Sequence, residues 1–335
     1  MKNQFIENMP KVELHCHIEG TLEPEMLFNL ANRNQVSIPF DSVEQVKQAY
    51  QFTQLQDFLD IYYQGMNVLQ TQQDFYDLTM AYLEKINSEN VRHTEIFFDP
   101  QGHTSRGIDF ETVITGIRAA MMDGESRYGI TFEIIMCFLR HLSEEDALQT
   151  LHQAAAHKDH IIGVGLDSSE LGNPPEKFKT VFREARQQGY LCVAHAGEEG
   201  PPEYVWDTLS MLKVDRIDHG NTSLKDPELV STLSASQMPL TVCPLSNLKL
   251  CVVDSLTNHP LKTMLEAGLC ATVNSDDPAY FGGYMNDNYL QSAQALDLNT
   301  DQILTLARNS ISASFASDAR KKQLLEELTA YSTKT

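Results

Sequence analysis

Eight short apolar runs separated by amphipathic segments constrain this 335-residue chain more than any other feature. They are KVELHCH (11–17), HTEIFFD (93–99), TFEIIMCF (131–138), IIGVGLD (161–167), LCVAHAG (191–197), RIDHG (216–220), LTVCP (240–244) and ATVNSDD (271–277). Runs of this length read as strands, and their near-continuous apolar character suits strands buried on both faces of a parallel sheet. The segments between them have helical period. FETVITGIRAAMMDGESRYG stops at a glycine before the next strand, and PEKFKTVFREARQQG and HPLKTMLEAG also end on glycine. SEEDALQTLHQAAAHK opens on Ser143 as an N-cap, with acids in its first turn. Strand and helix alternating eight times specify an α/β fold, the (β/α)8 TIM barrel. Residues 22–90 read as several helices, a helical insertion after the first strand, and the chain from Asp301 onward also reads as helix. An open doubly wound sheet would carry a Gly-rich phosphate turn after its first strand, where this chain has HCHIEG. No Pro/Gly/Ser linker divides the chain, so residues 1–335 are expected to form one domain.

With 25 basic and 46 acidic side chains the formal charge is −21, which repels nucleic acid and anionic lipid. No apolar run reaches the ~18–20 residues of a membrane span, and MKNQFIENMPK lacks a signal-peptide core. The expectation is a soluble, cytoplasmic protein acting on a small molecule; the sequence leaves open whether it forms a homo-oligomer. Six cysteines without a C-x-x-C pair, most of them in apolar runs, read as buried free thiols.

In such a barrel the chemistry lies at the C-terminal ends of the strands. The first strand ends at His15 and His17, the fifth at His195, the sixth at His219, and the eighth at Asp276 and Asp277. Residues i and i+2 of a strand share a face, so His15 and His17 point the same way and can chelate one ion. A lone histidine at a strand end is more often structural than a ligand. Four histidines and an Asp-Asp pair at such ends favour a metal centre. Three imidazoles and a carboxylate, from His15, His17, His195 and Asp276, suit one Zn²⁺; Fe²⁺ and Mn²⁺ accept the same donors. The fourth strand ends GLDSSELG with no lysine to bridge a second ion, which argues for a single metal.

The segments HCHIEG, HAGE, DHG and SDDP, in that order, resemble the adenosine/adenine deaminase family of metal-dependent amidohydrolases. The resemblance implies His15, His17, His195 and Asp276 as metal ligands. It implies Glu198 as proton donor to ring nitrogen 1 of a purine. His219 would orient the attacking water and accept its proton, and Asp277 would bond ring nitrogen 7. The alternative for Glu198 is a surface acid beside Glu199, and for the Asp pair a helix N-cap before Pro278.

Nucleoside deaminases of this family typically carry Asp two residues past the second histidine, where this chain has Glu19. The extra methylene is expected to crowd the sugar or push the carboxylate into its place. EIFFDPQGHTSRGI (95–108) and GLDSSELGNPP (165–175) also resemble the adenine deaminase branch. The implied reaction is hydrolytic deamination of the free base adenine to hypoxanthine and ammonia, in purine salvage. The alternatives are adenosine or another 6-aminopurine derivative.

Overall fold

The computed structural model describes residues 2–333. The strands are β1 (Lys11–His17), β2 (Val91–Phe98), β3 (Thr131–Leu139), β4 (Gly163–Asp167), β5 (Leu191–Ala196), β6 (Arg216–His219), β7 (Pro239–Val242) and β8 (Cys270–Val273). They pair in sequence order, all in parallel, as one eight-stranded sheet. The seam between its two edges is closed by the turn after β8. There the His17 N–H donates to the Asp276 carbonyl (2.9 Å) and the Asp276 N–H to the His15 carbonyl (3.0 Å). The Leu14 N–H donates to the Asn274 side-chain oxygen (2.8 Å). The contacts that close the barrel therefore also set Asp276 against His15 and His17.

The insertion after β1 comprises the helices Pro24–Asn34, Val43–Ala49, Leu55–Met66 and Gln72–Ser88. Ser42 and Thr71 cap two of them with side-chain oxygens, which satisfies amide donors left free at a helix start. Ser143 caps the helix Glu144–Ala154 through a reciprocal box with Asp146, as its sequence suggests. Gly129 ends the helix Phe110–Tyr128 at φ 69°, a conformation open to glycine. The C-terminal helices are Thr300–Ala313 and Asp318–Ser332.

The eighth strand is shorter than expected, ending at Val273 rather than Asp277. Its alternating pattern stops there, and the chain turns through Asp276 at φ 66°. Inside the barrel, Phe97, Ile135, Cys137 and Val193 form a separate apolar layer. The Phe97 ring lies 4.8 Å from that of His15 and 5.0 Å from that of His17, so this layer is the floor of the mouth. A buried Glu95–Arg216 ion pair also lies inside, with Arg216 donating to the Leu14 carbonyl. Among the described residues all six cysteines are free, and only Cys251 is exposed. Among the described residues no helix is long and apolar enough to cross a membrane.

Candidate active site

His15, His17, His195 and Asp276, brought from three separate stretches of sequence, meet above Phe97. The His15 Nε2 lies 3.2 Å from Asp276 Oδ1, and the His17 Nε2 lies 3.5 Å from the same oxygen. The His17 and His195 Nε2 atoms face each other at 3.3 Å. Ligands about 2.1 Å from a tetrahedral zinc stand about 3.4 Å apart, so the spacing suits one ion.

The proton positions make the same point. Thr241 donates its hydroxyl to Asp218 Oδ1 (2.7 Å) and so accepts from His15 Nδ1 (2.9 Å). Asp218 Oδ2 lies 3.4 Å from His195 Nδ1, and Asp167 Oδ2 lies 3.4 Å from His17 Nδ1. With every Nδ1 directed at an acceptor, the Nε2 atoms are lone pairs pointing at one another and at a carboxylate. Burial holds His17 well below the usual imidazole range, so it is neutral. Several electron pairs converging in a buried space repel unless a cation sits among them. For Asp218 burial acts upward, but the hydrogen bond from His195 and the neighbouring His15 and Arg216 hold it below the usual carboxylate range.

His219 stands in the same cluster but further off, its Nε2 3.8 Å from the other oxygen of Asp276. The same atom is 3.7 Å from Glu198 Oε1 and has no hydrogen-bond partner. Its Nδ1 faces the Asn247 amide at 3.5 Å and no carboxylate. Glu198 is buried rather than a surface acid; burial first, then Asp276, Glu170 and Glu199, push its carboxyl well above the usual range. The turn carrying it is held by Glu170, which accepts from the N–H groups of Gly197 (2.7 Å), Glu199 (2.9 Å) and Gly200 (2.8 Å). Arg140 donates to the His195 carbonyl at 2.7 Å.

Asp277 does not cap the helix Pro278–Phe281 with its side chain. Its Oδ1 is buried without a partner and lies where a Cβ on Gly20 would come within 2.0 Å. That contact explains the glycine in HIEG. Burial and then Asp276 raise the Asp277 carboxyl well above the usual range.

Two pairs of consecutive residues, Asp218–His219 and Asp276–Asp277, serve this one site, although strand alternation would send neighbours to opposite faces. His219 and Asp276 both lie at φ 66°, and this breaks the alternation. Left-handed backbone at a non-glycine residue costs about 1–3 kcal/mol and persists where the surroundings enforce it.

Glu19 departs from the expectation. It turns beneath the site, where its Oε1 accepts from the Asp99 N–H (3.1 Å) and contacts His103 Nε2 (2.8 Å). It is fully buried and does not line the cavity. Instead the helix Leu55–Met66 roofs the cavity with Leu55, Phe58, Leu59 and Tyr62, and Phe281 adds a further apolar wall. The space beneath opens onto His17, His195, Glu198, His219, Asp276 and Asp277.

A parallel (β/α)8 barrel with imidazoles and carboxylates converging at the C-terminal ends of its strands defines a class, the barrel hydrolases of amidohydrolase type. The profile of the Adenosine deaminase family matches residues 10–331, and the chain belongs to that family. It is 64% identical over 327 residues to an adenine deaminase of Sphingopyxis alaskensis, covering 98% of this chain and 96% of the relative. An adenine deaminase of Acinetobacter baylyi is 56% identical, with 98% of each chain covered. The crystal structure of adenine deaminase from Arthrobacter aurescens superposes with a TM-score of 0.96 at 50% identity, covering 97% of this chain and 99% of that one. A zinc-bound amidohydrolase from Burkholderia ambifaria superposes at 0.90 with 26% identity, covering 99% and 94%.

Proposed function

We propose that this protein deaminates free adenine to hypoxanthine and ammonia as a single-domain, single-metal enzyme of cytoplasmic purine salvage. The observation that carries the reading is the meeting of His15, His17, His195 and Asp276 beside a buried Glu198 and an unpartnered His219 Nε2 in one roofed cavity. Adenine as substrate is supported by relatives at 56–64% identity that are adenine deaminases.

His15, His17, His195 and Asp276 would hold the ion, Zn²⁺ first among Zn²⁺, Fe²⁺ and Mn²⁺. A zinc-bound structural neighbour supports that choice. Such an ion, when bound, acidifies water and so supplies a nucleophile near neutral pH. The chain's own residues do the rest. Attack at carbon 6 pushes electron density onto ring nitrogen 1, and Glu198, held protonated by its surroundings, donates its proton there. His219 orients the attacking water and takes its proton. Burial holds its ring well below the usual imidazole range, so it starts neutral. Asp277 bonds ring nitrogen 7 and fixes the ring in plane. Asp218, Thr241 and Asp167 hold the ligand imidazoles in the tautomer that presents Nε2. The apolar roof from Leu55–Met66 excludes bulk water from the ring.

The fall in ultraviolet absorbance on deamination tests the substrate. Adenine should be consumed with kcat/KM about 100-fold or more above that for adenosine. Equal rates, or a preference for the nucleoside, would overturn the free-base reading.

A further inference from the structure

Two segments set apart in the sequence, FFDPQ and GLDSSELG, leave two carboxylates without a catalytic role. The fold brings them together. Asp99 follows β2, Asp167 ends β4, and β3 lies between those strands. Yet one oxygen of each falls, together with a ring nitrogen of His17, in a group whose atoms are all within 4.8 Å of one another. Both residues are 2% exposed, and both line the cavity under the apolar roof. Asp99 Oδ2 accepts from the Tyr62 hydroxyl at 3.1 Å, while its Oδ1 is buried with no partner. The Asp99 backbone N–H is fixed by Glu19 at 3.1 Å, so this wall does not depend on a mobile loop. Asp167 already serves His17 through Oδ2. Asp167 Oδ1 is likewise buried without a partner, so what sets Asp99 apart is that it alone of the two is not committed to a ligand imidazole.

A purine placed with carbon 6 at the His/Asp cluster uses nitrogens 1 and 7, which flank that carbon, toward Glu198 and Asp277. Its opposite edge carries nitrogens 3 and 9. Glu198 follows β5 and His219 ends β6, whereas Asp99 stands beyond His17 on the β2 side, toward which that opposite edge is placed. The N9–H is the one ring donor that free adenine has and a nucleoside lacks. A buried acceptor that loses such a donor is left desolvated and unpaired, which is how a site rejects an analogue strongly. We propose that Asp99 is the specificity-determining residue of this enzyme, accepting the N9–H of the free base and leaving no room for a sugar. The inference rests on the adenine reading above. It also assigns Glu19 a positioning role: it does not touch the sugar's place but holds Asp99 where it can.

Adenine and its 9-methyl derivative test the proposal in the wild-type enzyme and in Asp99→Ala. In the wild type, 9-methyladenine should compete at least about 100-fold less well than adenine binds. In Asp99→Ala, the KM for adenine should rise about 10–100-fold with kcat within about threefold of wild type, while the inhibition constant of 9-methyladenine stays level or falls. Parallel weakening of both ligands, or a loss in kcat at unchanged KM, would overturn the role of Asp99. So would a wild type that binds the two bases alike, a measurement that needs no variant to fold. A wild type that does not deaminate adenine at all would instead sink the substrate reading, and this inference with it. Two metal ions per chain, the second held by His17, Asp99 and Asp167, would also refute the assignment.

Discussion

Glu198→Gln is expected to lower kcat for adenine by about 10³-fold or more while the metal content and thermal stability stay near those of the wild type. Glutamine keeps the shape of the side chain and the room it occupies, but its amide is too weak an acid to protonate a ring nitrogen. A general acid contributes about 10²–10⁴-fold, and here ring nitrogen 1 gathers the charge of the intermediate directly. Glu198 is not one of the proposed ligands, and its nearest histidine, His219 at 3.7 Å, is the proposed base. Turnover and elemental analysis on the same preparation check the expectation. A variant retaining more than about a tenth of wild-type kcat would remove Glu198 from proton transfer.

His17→Ala and His219→Ala should separate ligand from base. The cluster alone does not, because His15, His195, His219 and Asp276 also offer atoms within 4.8 Å of one another. What distinguishes the two is the group behind each ring. His17 has Asp167 at 3.4 Å from Nδ1, whereas His219 faces only an amide. A carboxylate there raises the basicity of the ligating nitrogen, and losing a ligand typically costs more than losing its support, itself about 10–100-fold in metal affinity. Dialysed His17→Ala should therefore retain little metal and little activity. His219→Ala should keep a full complement of metal and lose about 10²–10⁴-fold in kcat. The reverse pattern of metal contents would exchange the two roles.

Much of this was legible in the sequence because barrel strands are written as short apolar runs and their ends as polar interruptions. β1 was read to the residue from KVELHCH, and four of the helices between the strands from their period and their end signals. The site histidines stood out because each interrupts or ends such a run. The supporting carboxylates did not. Asp218 sits beside His219, and alternation assigns neighbours to opposite faces; only the left-handed backbone at His219 turns both inward. Glu170 acts from one loop on the backbone of another, 27–30 residues away, a contact no local pattern encodes. Asp167 was visible only as the end of a strand. Glu19 was read as reaching the substrate because it follows His17 by two residues. The chain instead leaves β1 in a short 3-10 turn, Glu19–Thr21, which rotates the side chain beneath the site. The roof was hidden for a related reason: its residues share one face of a helix in the insertion, and an apolar helical face reads as core whether it covers protein or ligand.

The account stands on one cation shared by His15, His17, His195 and Asp276. Anomalous diffraction from crystals of the metal-loaded protein, collected at the absorption edge of the bound metal, tests this most directly. A single peak is predicted, about 2.0–2.2 Å from the Nε2 atoms of the three histidines and from an oxygen of Asp276. A peak bonded to His219 in place of His17, a second peak between His17, Asp99 and Asp167, or no peak at the cluster would contradict it.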